Sequence, residues 1–172
     1  MINDQQLQLI EQQLGRKPRG IAEVSNQTTE GIPVVLRMHS LVDDKPFPTL
    51  YWLCSKDLYK AISQIETGGW VKQIEQQLEQ DSELRQAYQQ NHRDYVALRQ
   101  GYLSEDEQQR IETLGFSELF QRYGIGGIAQ WDKVRCLHMQ YAHYLAQPGE
   151  GCNVIGQRME QEFGLSKLQL KL

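Results

Sequence analysis

Cysteine is scarce in this chain, with three among 172 residues: Cys54, Cys136 and Cys152. An odd number at irregular spacing builds no disulfide framework, so reduced thiols are expected. Neither CxxC nor HExxH occurs, which removes the commonest sequence signatures of a zinc site. No Walker A run is present either. Apolar runs are short, and none approaches the roughly 20 residues of a membrane span. Met1-Ile-Asn-Asp-Gln-Gln has neither the basic nor the apolar region of a signal peptide. A cytoplasmic location and no membrane partner are the expectation. Positive charge is in deficit, with 18 Lys and Arg against 22 Asp and Glu, a net charge of -4. That balance excludes bulk electrostatic attraction to nucleic acid. What remains is a chain of ordinary globular composition, 40% hydrophobic and 23% charged. Its length suits one domain over 1–172.

The hydrophobic spacing changes character once along the chain. Leu7, Ile10 and Leu14 recur at helical spacing, so Gln5 to Leu14 is predicted as a short helix stopped at Gly15 and Pro18. Three short runs follow: Gly20 to Ser25, Gly31 to Met38 and Thr49 to Cys54. They are rich in β-branched and aromatic residues and separated by turn chemistry, which predicts a small antiparallel sheet. After Cys54 the period becomes helical. Leu58, Ile62 and Ile65 share one face; Trp70, Val71, Ile74 and Leu78 another. Leu84, Tyr88, Tyr95, Leu98 and Tyr102 line a long helix opened by Asp81 or Ser82. Ser104 and Glu107 form a capping box. Val154 to Phe163 is a last helix. The fold class is therefore α+β, with a short helix and three-stranded sheet over 1–54 and a helical part over 55–172, its helices packed on one face of the sheet.

The densest chemistry lies in Gly124-Ile-Gly-Gly127 and the segment that follows. Asp132 to Ala146 is expected to be one helix, carrying Lys133, Arg135, Cys136, His138 and His143. At about 100° per residue, Val134, Leu137, Tyr141, Tyr144 and Leu145 form a core face with His138 at its edge. Cys136, Met139 and His143 fall on the opposite side, which either lines a pocket or packs beneath another segment. Cys136 and His143 are then about 10.5 Å apart along the axis, too far to chelate one ion. His138 points nearly opposite Cys136. No metal site and no cofactor are expected. Cys136 reads first as an inert small hydrophobe; the alternative is that Lys133 and Arg135 lower its thiol pKa and make it a candidate nucleophile with His138, His92 or His143 as base.

Two features suit an anion. Gly124-x-Gly-Gly127 ahead of a helix is a weak phosphate-cradle pattern, and a tight turn explains it as well. Gly15-Arg-Lys-Pro-Arg-Gly20 carries three cations in four residues within a Pro/Gly frame. Arg16 and Arg19 suit paired hydrogen bonds to phosphate or carboxylate. The bland reading is a basic helix end that favours the helix dipole. If this loop met Lys133 and Arg135, the four side chains would form one anion site.

Leu14-Gly-Arg-x-Pro-Arg-Gly20, Phe47-Pro-Thr-Leu-Tyr-Trp-Leu53 and Val134-Arg-Cys-Leu-His138 with His143 resemble the bacterial family called domain of unknown function 501. The resemblance takes in Tyr88-x3-His92-x2-Tyr95 and Asn153-x2-Gly156, and runs from about Leu7 to Gly156. It implies no activity, but it gives His92 a place in a family motif and so strengthens a pocket role for it. The leading expectation is a protein that binds a small anion or phosphorylated ligand, such as a phosphate-containing small molecule or polyphosphate, through Arg16 and Arg19 with Lys133 and Arg135 assisting. The alternatives are a Cys/His-dependent enzyme and an adaptor that presents its Gln-rich helices to a protein partner.

Overall fold

The computed structural model describes all residues, 1–172. Helix α1 (Asp4–Leu14) opens on an Asn3/Gln6 capping box and closes on left-handed Gly15. Strands β1 (Ile21–Gln27), β2 (Pro33–Met38) and β5 (Tyr51–Leu53) form an antiparallel sheet in the order β1-β2-β5. Between β2 and β5 lies a small hairpin, β3 (Leu41–Val42) and β4 (Lys45–Pro46). Its two tip residues, Asp43 and Asp44, both have positive φ, as a tight two-residue hairpin turn requires. This hairpin occupies a stretch expected to be turn alone.

The helical part follows: α2 (Lys56–Thr67), α3 (Trp70–Gln80), α4 (Ser82–Gly101), α5 (Glu105–Leu114), α6 (Ser117–Arg122), α7 (Leu137–Ala146) and α8 (Val154–Phe163). The expected starts hold where a side chain caps the backbone. Asp81 accepts from the Leu84 N–H, and Ser104 with Glu107 forms the capping box. The small N-terminal sheet followed by helices is the α+β class expected. No helix is long and apolar enough to cross a membrane.

The central strand β2 is buried along nearly its whole length, because both faces of the sheet are covered. Val35, Tyr51 and Leu53 point into the larger core with Tyr88, Tyr95, Leu137 and Tyr141 of the helical part. The alternate residues Leu36 and Cys54, with Met38, pack on Ile10 of α1. Period-two alternation thus divides the sheet between two cores. The expectation of helices on one face is corrected here: α1 takes the other.

Helix α4 also fixes the approach to β5. The Leu50 and Tyr51 N–H groups donate to the Tyr95 hydroxyl, at 2.6 and 3.3 Å. Arg99, only 1% exposed, donates to the carbonyls of Pro48, Phe120 and Tyr123. Its guanidinium therefore caps the last turn of α6 and holds the segment that leads into β5.

Candidate functional site

The α1 face of the sheet carries a groove of about 240 Å³. Its floor is apolar, with Leu36, Met38, Phe47 and Trp52. The Phe47 and Trp52 rings lie 5.8 Å apart at a tilt of 37°. The 15–20 loop and the β3–β4 hairpin form its walls. They can approach because residue 20 is glycine: its φ is +71°, and a Cβ there would stand 2.4 Å from Val42 Cγ2. Arg16, Arg19 and Lys45 line the rim with one acid, Asp43. Arg19 pairs with Asp43, while Arg16 and Lys45 make no ion pair. The outcome is an apolar, aromatic slot with surplus positive charge at its mouth on a net-acidic protein.

Lys133 and Arg135 do not join this groove. They line a separate broad depression with Arg122, Glu75 and Gln130. Lys133 stands 3.9 Å from a Glu75 carboxylate oxygen, and the Val134 N–H donates to the other carboxylate oxygen at 3.0 Å. The four cations read as one anion site are divided between two surfaces.

The glycine turn is no phosphate cradle. The Gly124 N–H donates to Ile128 O, the Gly127 N–H to Gly124 O and the Ile125 N–H to His92 Nδ1. Those donors are already used. No helix begins at Asp132 either. The chain stays irregular to Cys136, and α7 starts at Leu137. Cys136 is its N-cap, with φ 51° and ψ 84°, a left-handed conformation unusual for a residue with a side chain.

That backbone overturns the helical-wheel arrangement. Cys136 Sγ lies 3.8 Å from His138 Nδ1, where a continuous helix would have pointed the two apart. Glu66, in the last turn of α2, reaches the same spot: one carboxylate oxygen is 3.4 Å from His138 Nδ1 and accepts the Leu137 N–H at 2.9 Å. On the far side of the ring, His138 Nε2 is 3.1 Å from both Tyr59 O and Ser63 Oγ. The Tyr59 ring stacks on the imidazole at 3.8 Å. Burial pushes the Cys136 thiol pKa up, and the Glu66 charge adds to it. The lowering by Lys133 and Arg135 that the nucleophile reading needs does not occur. Burial also pushes the His138 pKa down, against the opposing pull of Tyr59 O and Glu66. The pair is a neutral thiol beside a neutral imidazole, not a thiolate–imidazolium couple.

The other two candidate histidines stand apart from the thiol. His92 is fully buried, stacked on Trp131 at 5.3 Å and edge-on to Tyr88 at 4.5 Å. His143 lies between Tyr51 and Tyr95, with Asn153 Nδ2 donating to its Nδ1 at 3.1 Å. Desolvation pushes their pKa values down to about 3 and about 4. Neither hydrogen-bonds Cys136. Of the candidate bases, only His138 meets the thiol.

Sequence reasoning missed Glu66, Ser63 and Tyr59, although 59, 63 and 66 follow i, i+4, i+7 spacing on α2. It also missed Lys45 and Asp43, which reach the groove through a hairpin too short to leave a periodic signal.

A family model described as Protein of unknown function (DUF501) matches residues 24–161. No curated protein and no solved structure matches the chain.

Proposed function

The chain belongs to the DUF501 family, and as that description carries no activity, we propose one from the groove: binding of a small anionic ligand built on a single aromatic ring, such as an aromatic phosphate. The observation that carries this reading is the aromatic slot of Phe47 and Trp52 beneath the cations Arg16, Arg19 and Lys45. Ligand pockets are largely apolar and keep a few polar groups for orientation. Here the floor suits a ring and the rim suits its charged group. Arginine holds a phosphate or carboxylate by paired, charge-assisted hydrogen bonds. The groove is smaller than the roughly 300 Å³ at the lower end of drug-sized sites, so it takes one ring rather than a dinucleotide. Bare phosphate or polyphosphate would meet the rim and leave the floor uncovered. Lys133 and Arg135, on their own surface, have no part in it.

The test follows thermal stability and tryptophan fluorescence with phenyl phosphate, nucleoside monophosphates, inorganic phosphate and polyphosphate. An aromatic monophosphate should raise the Tm and change the Trp52 emission, with inorganic phosphate weaker. Binding at about 100 times Kd adds about 2.7 kcal/mol to stability. Arg16→Ala should remove most of the response without unfolding the protein, because Arg16 is exposed and unpaired. If no aromatic phosphate up to millimolar concentration moves either signal, the reading fails.

A further inference from the structure

The Glu66–Cys136–His138 cluster lies in the helical part, with His138 on α7, which packs on the face of the sheet opposite the groove. Its distances are informative. A charge-assisted N–H···O bond is about 2.7–2.9 Å long, and His138 Nδ1 stands 3.4 Å from the Glu66 oxygen. The contact between Nδ1 and Cys136 Sγ is 3.8 Å. All three ligand atoms lie within 4.8 Å of one another. With Zn–S of about 2.3 Å and Zn–N or Zn–O of about 2.0–2.1 Å, tetrahedral geometry sets S···N edges near 3.6 Å and N···O edges near 3.3 Å. The Nδ1···O spacing is long for a charge-assisted hydrogen bond, the Nδ1···Sγ spacing is at the outer range of a sulfur hydrogen bond, and both are close to the edges of a metal tetrahedron.

The surroundings settle the tautomer. The Ser63 hydroxyl donates to Tyr59 O at 2.9 Å, so its oxygen is free to accept. His138 Nε2 faces that oxygen and Tyr59 O, two acceptors, and must carry the ring proton. The Nδ1 lone pair is left aimed at a carboxylate and a sulfur. In the metal-free protein the Cys136 thiol proton is what can meet that lone pair, and a divalent cation would replace it and satisfy all three atoms at once. An imidazole whose outer N–H is held by a backbone carbonyl is the usual second layer of a metal-bound histidine. Glu66 is oriented in the same manner, by the Leu137 N–H. The left-handed backbone of Cys136 is what turns its sulfur onto His138. Such a conformation is costly in a non-glycine residue and is found at functional sites.

From this convergence we propose that Glu66, Cys136 and His138 form a divalent metal site of the zinc class. Thiolate and imidazole select zinc over magnesium or calcium. The thiol proton leaves to solvent as the metal enters. Three protein ligands leave a fourth position for water or a substrate atom, the arrangement of a catalytic rather than a structural zinc. The Glu66 side chain is 34% exposed, which provides the entry path. The expectation of no metal site rested on the absence of CxxC and HExxH and on a helix through residues 132–136, and that helix does not exist.

The experiment is a cobalt and zinc titration of the metal-free full-length protein, followed by absorbance. One equivalent of Co²⁺ should give a thiolate-to-cobalt charge-transfer band in the near ultraviolet and tetrahedral bands in the visible, and one equivalent of Zn²⁺ should bleach both. Cys136→Ser should abolish the ultraviolet band, while Cys54→Ser and Cys152→Ser should keep it. Ser63→Ala, which alters no ligand, should weaken affinity by about tenfold, the lower end of such outer-layer effects. Circular dichroism of each variant separates lost binding from lost fold. The proposal is overturned if no band forms, if the band survives Cys136→Ser, or if Cys136 reacts with an alkylating agent at the same rate with and without added zinc.

Discussion

Replacing Arg99 with methionine isolates what one buried cation does for this fold. Arg99 pairs with no carboxylate; its guanidinium is bonded to three main-chain carbonyls. Methionine fills much of the same volume, so packing largely survives and the carbonyls lose their donors. Each orphaned buried acceptor costs about 1–3 kcal/mol, giving a gross penalty of about 3–9 kcal/mol for three. Against that, an ion no longer has to be held out of water, which returns several kcal/mol. A net loss of about 3 kcal/mol follows, a large part of the roughly 5–15 kcal/mol that stabilises a domain. Urea unfolding, read by circular dichroism, measures it directly. In a thermal scan the same loss lowers Tm by about 6–12 °C for a chain of this size. Because Arg99 also holds Pro48, next to Phe47 in the groove floor, the variant should bind the aromatic phosphate less well below its melting range. A loss under about 1 kcal/mol would refute the reasoning. It would mean that desolvation of the guanidinium cancels its bonds and that Arg99 is not what anchors α6 to the sheet.

Gly156→Ala should cost about 2 kcal/mol, since a Cβ there would lie 2.3 Å from Tyr144 Cβ and 3.1 Å from Gln140 O; the overpacking outweighs the roughly 1 kcal/mol that alanine gains in a helix. An alanine variant as stable as the wild type in urea would show that α7 and α8 have room to part. Acid should destabilise the protein well above the carboxylate range. His92 and His143 have folded pKa values of about 3 and about 4 against an ordinary 6.5, so below about pH 6.5 the unfolded chain takes up protons that the folded chain refuses. Their contribution is complete above pH 6.5 and is lost as pH falls toward 4, at about 1.4 kcal/mol per pH unit for each group. Urea midpoints between pH 7 and pH 4.5 should decline accordingly, and His143→Gln should flatten the slope; a midpoint unchanged over that range would exclude buried neutral histidines.

Much of the fold was legible because short-range signals and tertiary packing agree in it. Helix α8 (Val154–Phe163) matches its apolar spacing end to end, and Asp81 and Ser104 cap as their side-chain chemistry requires. The strands fell where β-branched and aromatic runs fell. The second face of the sheet was less visible. Leu36 and Cys54 alternate with Val35 and Leu53, and a strand buried on both faces reads only as a continuous apolar run. Nothing in such a run says that α1 folds back to cover one side.

The Glu66–Cys136–His138 cluster was half legible, and its missing half has one cause. Val134, Leu137, Tyr141 and Leu145 keep helical spacing, so periodicity extends the helix backward from α7 to Asp132. What stops it is a set of contacts from distant segments. The Tyr88 hydroxyl donates to Lys133 O at 2.7 Å, and Glu75 and Glu66 accept the Val134 and Leu137 N–H groups. The Leu137 N–H, one of the donors that the first turn of α7 leaves unsatisfied, is taken by a carboxylate of α2, which pins α2 against the start of α7, and the Val134 N–H of the irregular stretch before it is taken by a carboxylate of α3. Cys136 makes the corner in the left-handed region because the chain must reverse there to begin the helix. The same reversal carries its sulfur to His138 and Glu66. Residue types alone placed Cys136 and His138 two apart in sequence, and a periodic helix placed them on opposite sides. Only the pairing of α2 with the N-terminus of α7 decides between those geometries, and the cobalt spectrum of Cys136→Ser tests that decision at the sulfur atom itself.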